Sequence, residues 1–132
     1  MRFGKGKDMK KGAIFSLITF LVFILVVTSG CAKKEETFGK EITIEETTKL
    51  TDIFSNPGKY NGKRVKVEGK IDTECTTGCK FDVKDGTVKI HVDIASAGLT
   101  IPQRVGSKVV IEGKVVDRGY KIEIVGEGVK IK

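Results

Sequence analysis

Tryptophan is absent from the 132-residue chain, tyrosine occurs twice, and histidine occurs once. This shortage removes the stacking platforms on which single-strand nucleic-acid binders hold bases, because Phe81 has core parity and Tyr120 also reads as core. Around the one histidine, His91, no Ser/His/Asp arrangement has structural context, and no glycine-rich loop of phosphate-binding spacing opens a helix. An enzyme is not expected. Glu68, Asp72, Asp82 and Asp93 fall on outward strand positions, where solvated charge is the default, and no role is assigned to them.

Blocks of one charge sign are also missing from the part expected to fold. Of the formal charge of +7, four units come from Arg2, Lys5, Lys7, Lys10 and Lys11 set against Asp8. The remaining basic and acidic residues alternate along the chain, as a solvated surface does and a phosphate-tracking stripe does not. Nucleic acid is not an expected partner.

What is present at the start is an export pattern. Residues 1–12 are short and basic, and residues 13–27, AIFSLITFLVFILVV, run without a charge. As a helix that run reaches about 22 Å, short of the ~30 Å hydrocarbon core, so cleavage is favoured over an uncleaved span. Thr28, Ser29, Gly30 and Cys31 follow. This stretch resembles the bacterial lipoprotein signal, or lipobox, although Thr28 stands where that family most often has leucine. The resemblance implies that residues 1–30 are a signal peptide, that the Cys31 thiol takes a diacylglycerol, and that a dedicated peptidase cuts before it. The implied address is the cell membrane or outer membrane, with the domain outside the cytoplasm.

Residues 31–46 read as the lipid attachment followed by a flexible tether, because AKKEETFGKE is charged and nearly free of large apolar residues. Residues 47–132 read as the folded domain. Leu50, Ile53 and Phe54 at i, i+3 and i+4, with Asn56, Pro57 and Gly58 beyond, predict one short helix. From Gly62 the period becomes two. Val65, Val67, Gly69, Ile71, Thr73 and Cys75 share one face of a strand, and Phe81 and Val83 continue that parity after a three-residue loop. Asp85-Gly86 predicts a hairpin that sets Val83 opposite Val88, Phe81 opposite Ile90 and His91 opposite Lys80. Residues 95–105 read as a connection, Val109 to Val115 as a strand, and Tyr120, Ile122 and Ile124 as another, extended by Val129 and Ile131. GKRVKVEGKI and GSKVVIEGKV agree at five of ten positions and read as two strands solving one packing problem, with Gly69 and Gly113 permitting sharp bends.

Three strands, a connection and two strands is the order of the oligonucleotide/oligosaccharide-binding fold, the OB-fold, a five-stranded all-β barrel. Residues 48–116 resemble small extracytoplasmic OB-fold families of bacteria and archaea, through NPGKYNGKRVKVEGKI, the closely spaced Cys75 and Cys79 before Phe81, and LTIPQRVGSKVVIEGKV. The resemblance implies a fold far more than an activity. The expected role is a non-enzymatic binding or assembly module, monomeric, anchored to the membrane by the lipid on Cys31 and directed at an envelope protein or other envelope ligand.

The residues with chemistry left to assign are Cys75 and Cys79, separated by Thr76, Thr77 and Gly78. An exported domain favours their oxidation, and facing positions across the loop lead to an intramolecular disulfide, worth only about 2 kcal/mol for so small a loop. No cofactor is called for. A metal or thiol-exchange site at Cys75 and Cys79, joined by His91, is the sharper alternative, and inert thiols are the third; the predicted register sets His91 on the face away from Cys79.

Overall fold

Alternating apolar residues build every wall of the barrel. The computed structural model describes residues 34–132; Cys31 and the segment expected to be a signal peptide lie outside the described residues. In β2 (Arg64–Glu74) the inward set is Val65, Val67 and Ile71, in β3 (Lys80–Asp85) it is Phe81 and Val83, and in β4 (Val88–Asp93) it is Ile90 and Val92. Val109, Ile111 and Val115 of β5 (Lys108–Asp117) and Ile124, Val129 and Ile131 of β6 (Ile122–Ile131) complete the core. Strand β2 pairs antiparallel with β3 and β5, β3 with β4, and β5 with β6, while β4 and β6 run parallel. These five strands close on themselves, which leaves no edge among them and gives the OB-fold-like barrel.

The two echoing segments are neighbours. Strands β2 and β5 pair with Gly69 opposite Val109 and Gly113 opposite Val65. A Cβ on Gly69 would lie 2.6 Å from Val83 Cγ1, and one on Gly113 would strike the Val125 carbonyl beside the β-bulge at Glu112/Gly113. Close strand approach therefore requires both glycines.

Two short helices replace the single one expected. Between α1 (Leu50–Ser55) and α2 (Pro57–Tyr60), Asn56 has φ −136°, because a residue before proline is pushed out of the helical region. Leu50 and Ile53 enter the core, whereas Phe54 stays 39% exposed.

The tether expected at residues 31–46 is corrected from Lys34 onward. Glu36–Gly39 is a strand, β1, paired antiparallel with β6 from Glu36 opposite Ile131 to Gly39 opposite Gly128. The following residues strap the outside of the barrel: the Lys40 N–H donates to the Glu127 carbonyl at 2.9 Å and the Thr48 N–H to the Lys66 carbonyl at 2.8 Å. The compact unit is residues 34–132, so it begins well before residue 47. Glu112 of β5 is 1% exposed beneath this strap. Its carboxylate accepts the N–H groups of Thr43 (2.7 Å) and Ile44 (2.9 Å) and lies 2.7 Å from Arg64 Nη2. Local composition could not show this, since the partners are 68 and 69 residues apart.

Candidate functional site

The β3–β4 hairpin keeps its predicted parity but slips by two residues. Asp85 pairs with Val88, Val83 with Ile90, and Asp82 with His91. The cause is Gly86: it takes the positive φ (62°) at the first turn position, so Gly86-Thr87 is the two-residue loop and Asp85 stays in the strand. His91 therefore faces Asp82 and not Lys80. On the outer sheet surface His91 Nδ1 lies 2.8 Å from Asp82 Oδ1, and the Thr73 hydroxyl donates to Asp82 Oδ2 at 3.1 Å. The neighbouring pair toward the cysteine loop is Lys80 with Asp93, 3.5 Å apart.

The β5–β6 turn rises beside this surface. Arg118 N–H donates to the Lys121 carbonyl at 2.9 Å, which leaves Gly119 and Tyr120 at the tip. Tyr120, read from sequence as core, is 87% exposed. At the base of the turn, burial pushes the Glu123 carboxyl up, but hydrogen bonds from Arg118 (2.7 Å) and Lys121 (3.2 Å) outweigh it and hold the group below the usual carboxylate range. Between turn, sheet and helices runs a groove of about 590 Å³, lined among others by Phe54, Pro57, Asp82, Lys89, His91 and Tyr120. It combines the exposed Tyr120 and the partly exposed Phe54 with a hydrogen-bonded acid–imidazole pair. Such a surface can clasp an apolar or ring-shaped group and fix its polar edge.

The cysteine loop lies elsewhere. A bulge at Asp72, between Ile71 opposite Val83 and Thr73 opposite Asp82, advances β2 by one residue. Cys75 consequently donates its N–H to the Lys80 carbonyl at 2.9 Å and does not face Cys79. The expected disulfide is not formed: both cysteines are free thiols. Thr77 Oγ1 stands between them, 3.2 Å from Cys75 Sγ and 3.1 Å from Cys79 Sγ. Hydrogen bonding from the Thr77 hydroxyl and backbone holds the exposed Cys75 thiol below its ordinary pKa. The loop is pinned from outside by the connection after β4. Ile101 N–H donates to the Gly78 carbonyl and Gln103 Nε2 to the Cys75 carbonyl, both at 2.9 Å. Gly78 is indispensable there, with φ 68° and a Cβ position that would collide with the Ile101 carbonyl.

His91 is not brought to these thiols; its ring is held by Asp82 on the outer face, while Cys79 has the inward parity of Phe81. Among the described residues no three His, Cys, Asp or Glu side chains converge as a metal-holding group. Nor, among those residues, is any helix long and apolar enough to cross a membrane. Sequence reasoning found Cys75, Cys79 and His91 and missed Tyr120, Phe54 and Asp82. Asp117-Arg118-Gly119, between the two predicted strands, ends one residue short of Tyr120, and the Arg118 to Lys121 hydrogen bond takes Tyr120 into the turn.

No protein-family model and no curated protein matches the chain. Among solved structures, the hypothetical protein ygiW from E. coli is similar, with 19% identity, a TM-score of 0.50, and coverage of 72% of this chain and 97% of that one. OBody AM1L10, solved bound to hen egg-white lysozyme, is 20% identical with a TM-score of 0.49, covering 70% of this chain and 98% of its own. The first likeness speaks for the fold, in agreement with the strand order above.

Proposed function

We propose that this chain is a lipid-anchored, extracytoplasmic binding module that holds an envelope ligand in the groove between the outer face of β3–β4 and the β5–β6 turn, without catalysing a reaction. The observation that carries this reading is the exposed Tyr120 beside the Asp82–His91 pair, because OB-folds bind through this face and this loop. Binding is favoured over catalysis by the partners of the groove's charges: His91 is tied to Asp82, Lys121 to Glu123, and Lys89 to Asp72. Among the described residues no hydroxyl or thiol hydrogen-bonds His91 as a nucleophile would. Anchoring rests on the lipobox-like Thr28-Ser29-Gly30-Cys31 stretch.

Two measurements test it. Labelled fatty acid fed to the host is incorporated into wild type and not into Cys31→Ala; an unlabelled wild type sinks the anchor. In high salt, which screens attraction between charged surfaces, purified domain sediments with isolated envelope fragments, and Tyr120→Ala with His91→Ala abolishes this; undiminished sedimentation of the double variant sinks the groove as the binding face.

A second reading, thiol handling, is favoured by one observation: Cys75 is exposed and its thiol pKa is lowered. Loss of a thiol-exchange activity in Cys75→Ser, with envelope binding intact, would select it.

A further inference from the structure

The interleaved charges of the linear sequence become ordered when the strands pair. Lys108 of β5 stands opposite Lys70 of β2, Lys70 opposite Lys84 of β3, and Lys84 opposite Lys89 of β4. Directly paired residues project from the same side of a sheet, and all four are exposed. A fifth, Lys132, continues the row, donating its N–H to the Lys108 carbonyl at 2.9 Å. Like charges on directly opposed positions destabilise a sheet, so five in succession call for a compensating partner. Within the fold only Lys89 has one, Asp72 at 2.6 Å; among the described residues Lys70, Lys84, Lys108 and Lys132 make no ion pair.

The row also borders a second groove, about 790 Å³, whose lining includes Lys49, Lys70, Lys84, Lys108 and Lys132. Glu68, Asp72 and Asp85 line it too, leaving the lysines in excess. This groove is not the one that holds Tyr120 and His91.

Topology adds direction. Strand β1 starts at Glu36, opposite Ile131, and Ile131 is opposite Val109. The chain therefore enters the fold at the end of the barrel where Lys108 and Lys132 stand. From Cys31 to Glu36 an extended chain spans at most about 17 Å. We propose that the row Lys108–Lys70–Lys84–Lys89, with Lys132, is a docking face for the anionic headgroups of the bilayer that anchors the chain. The choice of a lipid surface over a soluble polyanion rests on the lipid-anchor reading above, through the short reach from Cys31. A lipid tethers a domain without orienting it; a basic face added to the lipid does both.

The test uses residues 34–132, the compact unit that contains the whole described fold, so its outcome does not depend on lipidation at Cys31. The domain should co-sediment with vesicles of phosphatidylglycerol in phosphatidylcholine, not with pure phosphatidylcholine, and be released by high salt. Lys70→Glu with Lys84→Glu should weaken binding at least about tenfold, at roughly 1 kcal/mol per surface lysine. Lys63→Glu with Lys114→Glu, the same charge change elsewhere, should leave it in place. Equal binding to neutral vesicles overturns the proposal, as does equal loss in the control variant. Binding to inorganic polyphosphate with none to vesicles also overturns it, in favour of a soluble polyanion. In full chain reconstituted into the same vesicles, Lys70 and Lys84 should be shielded from amine acylation in anionic bilayers relative to neutral ones; equal labelling counts against the face whatever the isolated domain does. The anchor itself is judged separately by fatty-acid labelling.

Discussion

Arg64 on β2 and Glu112 on β5 meet at 2.7 Å, and Arg64 Nη2 also reaches Glu127 at 2.8 Å, so one guanidinium links two strands beneath the N-terminal strap. Glu112 is the hub of that contact. It has lost its water, and it replaces it with the N–H groups of Thr43 and Ile44 together with the Arg64 charge. Glu112→Ala should cost about 1–3 kcal/mol, because it leaves the Thr43 and Ile44 N–H groups without their acceptor, while the half-exposed Arg64 keeps Glu127. Residues 40–48 should then lose protection in native-state hydrogen exchange while the β2–β3–β4 strands keep theirs. Uniform protection loss would show that the strap is integral to the barrel and does not lie over it.

Stability should fall on acidification from two carboxylates. For Glu112, burial raises the pKa and is outweighed by the Ile44 and Thr43 N–H groups and the Arg64 charge; for Glu123, burial is likewise outweighed by Arg118 and Lys121. Both folded-state values lie below the unfolded one. Their contribution is therefore complete above the unfolded carboxylate value, about 4.3, and is lost as pH drops through the lower folded values. Urea unfolding from pH 7 to pH 3 should show a flat region and then a decline, and Glu112→Gln should reduce the slope of that decline. An unchanged slope would remove Glu112 from the linkage.

The barrel was legible in the sequence because its information is local: alternation at Val65–Val67, Phe81–Val83 and Ile90–Val92 sets which face is inward, whatever the exact register. Where one residue changed the count, legibility failed. The Asp72 bulge moved Cys75 away from Cys79, and Gly86 at the first turn position moved His91 from Lys80 to Asp82. Long-range partners were invisible for a different reason. Nothing near Thr43 announces Glu112, and nothing near Lys70 announces Lys84 and Lys108, since each pairing depends on strands being laid side by side.

The thiols of Cys75 and Cys79 should differ in reactivity although they share one hydroxyl. Cys75 is exposed with its pKa lowered first by the Thr77 hydroxyl, and Cys79 is half-buried. Iodoacetamide at neutral pH should modify Cys75 first in native protein, since the thiolate is the nucleophile. Thr77→Val removes the stabilising donor and should slow that reaction without unfolding the domain. Mass spectrometry of briefly alkylated protein reads both rates; a disulfide-bonded pair, or Cys79 reacting first, would contradict the geometry of this loop.

Tyr120 and Ile124 set an exposed residue against a buried one. At 87% exposure on the tip of the β5–β6 turn it packs little apolar surface, so Tyr120→Ala should change stability by no more than about 0.5 kcal/mol. Ile124, four residues on and fully buried in β6, gives the contrast: Ile124→Ala should cost about 2–5 kcal/mol through lost burial and the cavity left behind. Binding to envelope fragments in high salt, where lysine–headgroup attraction is screened, should show the reverse order at temperatures where both variants are folded. Tyr120→Ala should lose it, because Tyr120 lines the groove together with Asp82 and His91, and Ile124→Ala should retain it. Tyr120→Phe keeps the ring and should restore binding if the contact is stacking; if only the hydroxyl matters, Tyr120→Phe should behave like Tyr120→Ala. Denaturant melts paired with sedimentation of the three variants give the answer, and a Tyr120→Ala domain that binds as wild type would move the ligand away from this groove.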